Sequence, residues 1–200
     1  MKNLLNKNND DHINRTDRRQ KESMLDMPET GLCSLRWEEA LLVASLRIRR
    51  MISFDAIALC ACQDDFVRVK FAGGEDCAGL ESLAVRQGQG LVGWVAEVGK
   101  PILNGNPAVE PGYAPSRAKT DGTSGLSSAL ALPLVHTGRV VGVVALYRRE
   151  RDAFAAGELV TLLELCPALA SLILDAEERS NNLWEMAGAI RRDGASLING

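Results

Sequence analysis

The run GQGLVGWVAEVGKPI, Gly88 to Ile102, constrains the fold more than any other stretch of the chain. Three glycines in six residues, Gly88-x-Gly90-x-x-Gly93, set a tight backbone turn, and the apolar residues after them suit a short helix from Leu91 to Val98. Leu83 to Arg86 reads as a strand entering that turn. The same pattern is the fingerprint of dinucleotide-binding folds, in which a helix N-terminus offers its unpaired N–H groups to a pyrophosphate. Such a fold also needs a second hydrophobic strand and an acidic ribose ligand about 20 residues on. Here the chain enters NGNPAVEPGYAPSRAKTDGTSG, which has neither strand nor helix period. The glycines are therefore read as turn formers rather than as nucleotide ligands.

Two apolar, β-branched-rich runs come after the loop, Ser127 to Val135 and Arg139 to Tyr147, separated by His136-Thr-Gly138, the grammar of a hairpin. Upstream, Phe54 to Cys62 reads as a strand with Ile57 and Leu59 on one face and Ala58, Cys60 and Cys62 on the other. Asp64-Asp65 turns it into a second strand in which Val67, Val69 and Phe71 alternate with Arg68 and Lys70. Cys77 to Ser82 suits a short helix. A helix is expected from Leu35, capped by Ser34, to about Met51. It carries one stripe of Trp37, Leu41, Ala44 and Ile48, and a second of Leu35, Leu42 and Leu46 almost opposite. The second stripe needs a partner, either a symmetric copy of the helix or the C-terminal helix of the same chain. The closing helix is read from Phe154 to Asp175, with Pro167 expected to kink it.

Composition narrows the functional classes. A net charge of −3 and a pI near 5.5 leave no basic footprint, so nucleic-acid binding is not expected. The apolar stretches fall short of the roughly 20 residues of a membrane helix, and the polar N-terminus lacks the apolar core of a secretory signal. A cytoplasmic protein that does not engage a membrane is expected. The first thirty residues, Asn-rich and mixed in charge, are read as a disordered tail. Five cysteines without a Cys-x-x-Cys, and two histidines far apart, indicate neither a disulfide framework nor a metal site.

The glycine-flanked short helix, the Lys-Pro-Ile strand, the long loop, SALALPL, GVVALY and a Phe one turn before a final helix together resemble the GAF family of sensory domains. The resemblance covers about Leu35 to Ala176 and is similar in detail to modules of bacterial signalling proteins, including those upstream of diguanylate cyclase domains. It implies an α+β fold: a central antiparallel sheet of about five or six strands, terminal helices on one face, short helices and the long loop on the other. The domain is placed at residues 34–178, between the tail at 1–30 and a helical extension or tail at 179–200.

The family's chemistries each leave residues that can be sought. Free methionine-R-sulfoxide reductases of this family place cysteines before and within the glycine run and in the loop, whereas Leu83 to Ser127 holds none. At the place of the family's cyclic-nucleotide signature stand Tyr147-Arg148-Arg149, Phe154 and Glu158, of which only Phe154 and Glu158 match. The bilin-type Cys-His pair is absent from the loop, and the Arg148 to Asp152 run reads as a solvated loop. No catalytic residue and no metal ligand is assigned, and the cofactor is left open. The expected function is non-catalytic sensing of a small molecule, by a homodimer that signals to an output protein. The alternatives are a dimerisation module without ligand and a thiol-dependent reductase. The candidate pocket residues are Cys60 and Cys62, Phe71, Trp94, Tyr113 and Ser128; Trp94 and Tyr113 equally suit core or surface packing.

Overall fold

The computed structural model describes residues 37–75, 77–111, 113 and 125–196, the last seventeen of these as backbone only. Ser34, Leu35, the polar tail and most of the long loop lie outside the described residues. The elements run in the order α1 (Trp37–Met51), β1 (Ala56–Gln63), β2 (Phe66–Gly74), a 3₁₀ turn (Cys77–Gly79), β3 (Ala84–Arg86) and α2 (Gly90–Val98). Then come β4 (Ile102–Gly105), a second 3₁₀ turn (Pro107–Val109), β5 (Ser128–His136), β6 (Arg139–Arg148) and α3 (Ala156–Ser196).

Six strands form one antiparallel sheet in the order β3-β2-β1-β6-β5-β4. The two-residue turn Thr137-Gly138 joins β5 to β6 with both residues at positive φ, the geometry whose twist matches flanking strands. Alternation along the central strands sorts side chains by size. Ile57, Leu59, Leu130, Leu132, Leu134, Val144 and Leu146 point to one face and meet Leu41 and Ile48 of α1 and Leu162, Leu169 and Ile173 of α3. Ala56, Ala58, Cys60, Ala129, Ala131, Val143, Ala145 and Tyr147 point to the other, under Leu91, Val92 and Val95 of α2 and Leu80. The helix face thus carries the large residues. The covered face is paved with alanine, which lets α2 and the segment after it lie close to the strands.

The structure adjusts several sequence expectations. β4 continues through Asn104 and Gly105, and Pro107–Val109 forms a turn, so the irregular segment starts later than its composition suggests. Asn106 caps that turn by accepting from the Ala108 N–H at 3.0 Å. α3 runs through Pro167 and on to Ser196 as one helix. Its Ala156–Arg179 part is long and apolar enough to cross a membrane by length and composition, where the sequence reading expects no such stretch. That apolarity serves the core: Leu162, Cys166, Leu169, Ala170, Ile173 and Ala176 are buried. Glu177 of the same helix accepts from Gln63 and pairs with Lys70 at 2.6 Å, fastening α3 to β1 and β2. On α1 the first stripe is confirmed, with Leu41 and Ile48 buried and Trp37 and Ala44 packed beside them. Leu42 and Leu46 of the second stripe stand about half exposed, at 47% and 53%.

Candidate functional site

The glycine run folds as a strand-to-helix turn, and each glycine has a reason. Gly88 and Gly90 sit at φ 83° and 65°, and a Cβ on Gly93 would lie 2.3 Å from the Arg86 carbonyl oxygen. The Gly88 N–H donates to the Gly93 carbonyl at 2.8 Å, closing the turn. Gln89 precedes the helix without capping it through its side chain. The cap comes instead from Glu110, just beyond the second 3₁₀ turn: its Oε1 accepts from the Val92 N–H at 2.7 Å, and the neighbouring Leu91 N–H also favours the charged carboxylate. A helix N-terminus favours an anion through its unpaired N–H groups and its dipole. Here the anion is supplied by the chain itself.

Glu110 is buried, only 3% exposed, and its other oxygen, Oε2, has no hydrogen-bond partner. Tyr147 at the end of β6 is fully buried on the same covered face, and its hydroxyl is likewise unpartnered. Burial, and then the neighbouring Cys60, Glu110 and Tyr113, push the Tyr147 phenol well above its ordinary range. Burial, then the Glu110 charge and Cys62, raise the Cys60 thiol. Burial also raises the Glu110 carboxyl, against the lowering influence of the Val92 and Leu91 N–H groups. Glu110, Tyr147 and Cys60 are thus buried polar groups, with the partly buried Tyr113 packed against the same core, on a floor otherwise made mostly of alanine.

Tyr113 belongs to two environments. It packs against the covered-face core, and it also lines a surface cleft of about 470 Å³ together with Asn104, Asn106, Leu126, Ser127, Arg151 and Asp152. Its hydroxyl accepts from the Leu126 N–H at 3.3 Å. Asn104 connects the cleft to the last helix. Held at φ 57°, it donates through Nδ2 to the Phe154 carbonyl at 2.9 Å and accepts through Oδ1 from the Phe154 N–H at 2.8 Å.

Arg148, next to Tyr147 but on the helix face, is the second connection. It is not the solvated residue that the charge run suggests. Its guanidinium bonds the Ser53 carbonyl at 2.6 Å, the Ala153 carbonyl, and the Glu158 carboxylate at 2.5 Å, and it stacks over the Phe154 ring at 4.3 Å. Glu158 in turn accepts from the Ala155 N–H at 2.8 Å, capping α3. Burial pushes the Glu158 carboxyl up, but the Arg148 hydrogen bond, the Ala155 N–H and the Arg148 charge together hold it below the usual range. Arg149 beside it bonds Glu75 at 3.0 Å, and its backbone N–H donates to Asp55 at 2.9 Å.

A family model for the GAF domain matches residues 38–175. The chain belongs to the GAF domain family. Its fold is similar to that of a GAF domain from a phosphoenolpyruvate-protein phosphotransferase of Coxiella burnetii. That likeness has 21% identity, covers 82% of this chain and 94% of that one, and has a TM-score of 0.59. The corresponding GAF domain from Acinetobacter is similar at 16% identity, 74% and 88% coverage and a TM-score of 0.58. A free methionine-R-sulfoxide reductase from Neisseria meningitidis, solved in complex with its substrate, gives 16% identity, 76% and 86% coverage and a TM-score of 0.56. At these identities the likeness is one of fold. No curated protein matches the chain.

The six pocket residues expected from sequence divide within this GAF fold. Cys60, Cys62 and Tyr113 share the covered face. Phe71 does not: a bulge puts Leu59 opposite Phe71 and Cys60 opposite Val69, so Lys70 is extra and Phe71 turns to the helix face. Ser128 shares the register of Leu130 rather than Ala129, and its hydroxyl donates to the Glu150 carbonyl at 2.7 Å. Trp94 lies on the outer side of α2, 38% exposed. Sequence reasoning missed Glu110, Tyr147, Asn104 and Arg148 as site residues. Glu110 carried a usable signal, an acidic residue in a loop beyond a helix that lacks a capping side chain.

Proposed function

We propose that this GAF domain is a non-catalytic regulatory module of bacterial signalling, binding a small molecule on the covered face of its sheet and reporting occupancy through α3. The observation that carries the reading is the position of Asn104, which lines the cleft and clasps the backbone of Phe154 just ahead of α3. A ligand preferring one arrangement of the cleft over another shifts the population of α3 contacts by that difference in affinity. Arg148 offers a parallel route, since Tyr147 on the covered face and Arg148 on the helix face are consecutive residues of one strand. The output is a partner protein that reads α3.

Three of the five thiols, Cys60, Cys62 and Cys166, support a non-enzymatic role. A reactive cysteine needs an electropositive, accessible setting that lowers its pKa. Here burial drives Cys60 upward, Cys62 up to about 11 and Cys166 up to about 12. A reductase built on these cysteines lacks a ready thiolate. The exposed Leu42 and Leu46 favour homodimerisation through α1, which accompanies the sensor role and also suits a purely structural dimerisation module.

Thermal-shift screening of the full chain against small metabolites, and hydrogen exchange with any hit, test the reading. The expected result is a ligand that raises the melting temperature and changes exchange over residues 153–162, with both effects weakened by Tyr113→Ala. A ligand whose protection stays confined to the cleft, with no change at the start of α3, would contradict the coupling.

A further inference from the structure

Two polar atoms are buried without partners on the covered face: Glu110 Oε2 and the Tyr147 hydroxyl, on residues 3% and 0% exposed. Leaving a buried polar group unpaired costs about 1–3 kcal/mol, and more for a charged one. Such groups in a native fold ask for a further partner. The packing around them is otherwise apolar: Ala56, Ala58, Ala129, Ala131 and Ala145 below, Leu91 and Val92 of α2 above.

The chemistry of that partner is constrained from several sides. In the ionised form, which a cation favours, Glu110 Oε2 accepts only, so the partner donates. An anion is disfavoured, because the anion position at the α2 N-terminus is filled by Glu110 itself, and a second negative charge would be repelled by it. The cations nearest to Tyr147 in sequence, Arg148 and Arg149, are committed to Ser53, Ala153, Glu158, Asp55 and Glu75. Among the described residues, no Lys, Arg or His bonds Glu110 Oε2. A positively charged donor from outside both satisfies Oε2 and compensates the buried charge, which a neutral hydroxyl does not. A primary ammonium group has three donors, enough in number for the carboxylate and the phenol oxygen.

We infer that the covered face takes a ligand bearing a primary ammonium group, anchored by the Glu110 carboxylate and the Tyr147 hydroxyl. This rests on the small-molecule reading above and narrows it to a chemical class. Glu110 has two jobs, one oxygen capping α2 and the other binding. Tyr147 has only one, so it is the cleaner position to test.

The test uses the full chain with ethylammonium chloride as the probe, and with tetramethylammonium chloride and sodium acetate as controls at matched ionic strength. Binding is read by thermal shift and by ¹H–¹⁵N chemical-shift perturbation. Affinity for so small a probe is expected to be weak, on the order of millimolar. Ethylammonium should raise the melting temperature of the wild type, while tetramethylammonium, which has no N–H, and acetate should not. Tyr147→Phe should fold with an equal or higher melting temperature, because it deletes an unpartnered hydroxyl, and should bind ethylammonium at least about tenfold more weakly, as loss of one hydrogen bond to a charged group implies. Glu110→Gln should lose the response as well. No response of the wild type to ethylammonium, an equal response in Tyr147→Phe, or a Tyr147→Phe variant that is itself destabilised would overturn the inference. A stabilising metabolite without an amine, whose binding survives Tyr147→Phe but not Tyr113→Ala, would overturn it while leaving the sensor reading intact.

Discussion

Glu110 does for α2 what a phosphate does for the helix of a nucleotide-binding turn, and this explains how the glycine run carries that fingerprint in a different fold. Gly93 is needed for contact rather than for ligand. A Cβ there would press on the Arg86 carbonyl, part of the backbone that forms the turn. Gly93→Ala is therefore expected to cost about 1–3 kcal/mol in chemical denaturation. Glu110 also leaves a pH signature. Its folded carboxyl holds a proton more tightly than the unfolded one, because burial outweighs the helix N–H bonds. The stability it contributes is thus complete below the unfolded pKa of about 4.3 and is lost as pH rises through the raised folded value. As pH rises above the unfolded pKa, the wild type should lose more stability than Glu110→Gln, measured as the shift of the urea midpoint. Equal shifts would show that Glu110 is ionised throughout. Cys60 was legible from sequence as a covered-face residue because simple alternation placed it there. Phe71 was not, because a single extra residue in β2 reverses the facing of the residues beyond it.

At the scale of elements, the start of α3 is held by side chains from three directions: Arg148 from β6, Asn104 from β4 and Glu158 from its own first turn. Arg148 and Glu158 form the pair to perturb. Because the Glu158 carboxyl is depressed in the fold, its contribution is present above the unfolded pKa of about 4.3 and disappears as pH falls through the folded value. Glu158→Gln should therefore speed amide exchange over residues 155–162 near neutral pH, and should have progressively less effect as the wild type is acidified. Arg148→Lys should act similarly, since an ammonium cannot reproduce the planar fork that spans Ser53, Ala153 and Glu158. The strands themselves were readable: SALALPLV and VVGVVALY alternate apolar residues of two sizes. The meaning of that size difference was harder to read. It becomes clear only when β1, β5 and β6 lie side by side and their alanines meet on one face. The Arg148 network was hidden for a related reason, because its partners at 53 and 158 are distant in sequence and the local charge pattern resembles a solvated loop.

For the molecule as a whole, the two sheet faces separate tasks. Large side chains on one face bind α1 and α3 to the sheet, and small ones on the other leave the polar groups of Glu110, Tyr147 and Cys60 beneath the segment that carries Tyr113. α1 then presents Leu42 and Leu46 outward. If they mediate homodimerisation, the double change Leu42→Glu and Leu46→Glu should convert a dimer to a folded monomer in sedimentation velocity, and an unchanged sedimentation coefficient would rule out this surface. Whether the covered face holds a small molecule is tested most directly by native mass spectrometry of the freshly purified full chain. The expected result is a species carrying one defined extra mass per chain, belonging to a compound with a primary amine and absent from Tyr147→Phe. A retained mass equally present in Tyr147→Phe, or a bare wild-type chain that ethylammonium and a metabolite panel leave unstabilised, would contradict it.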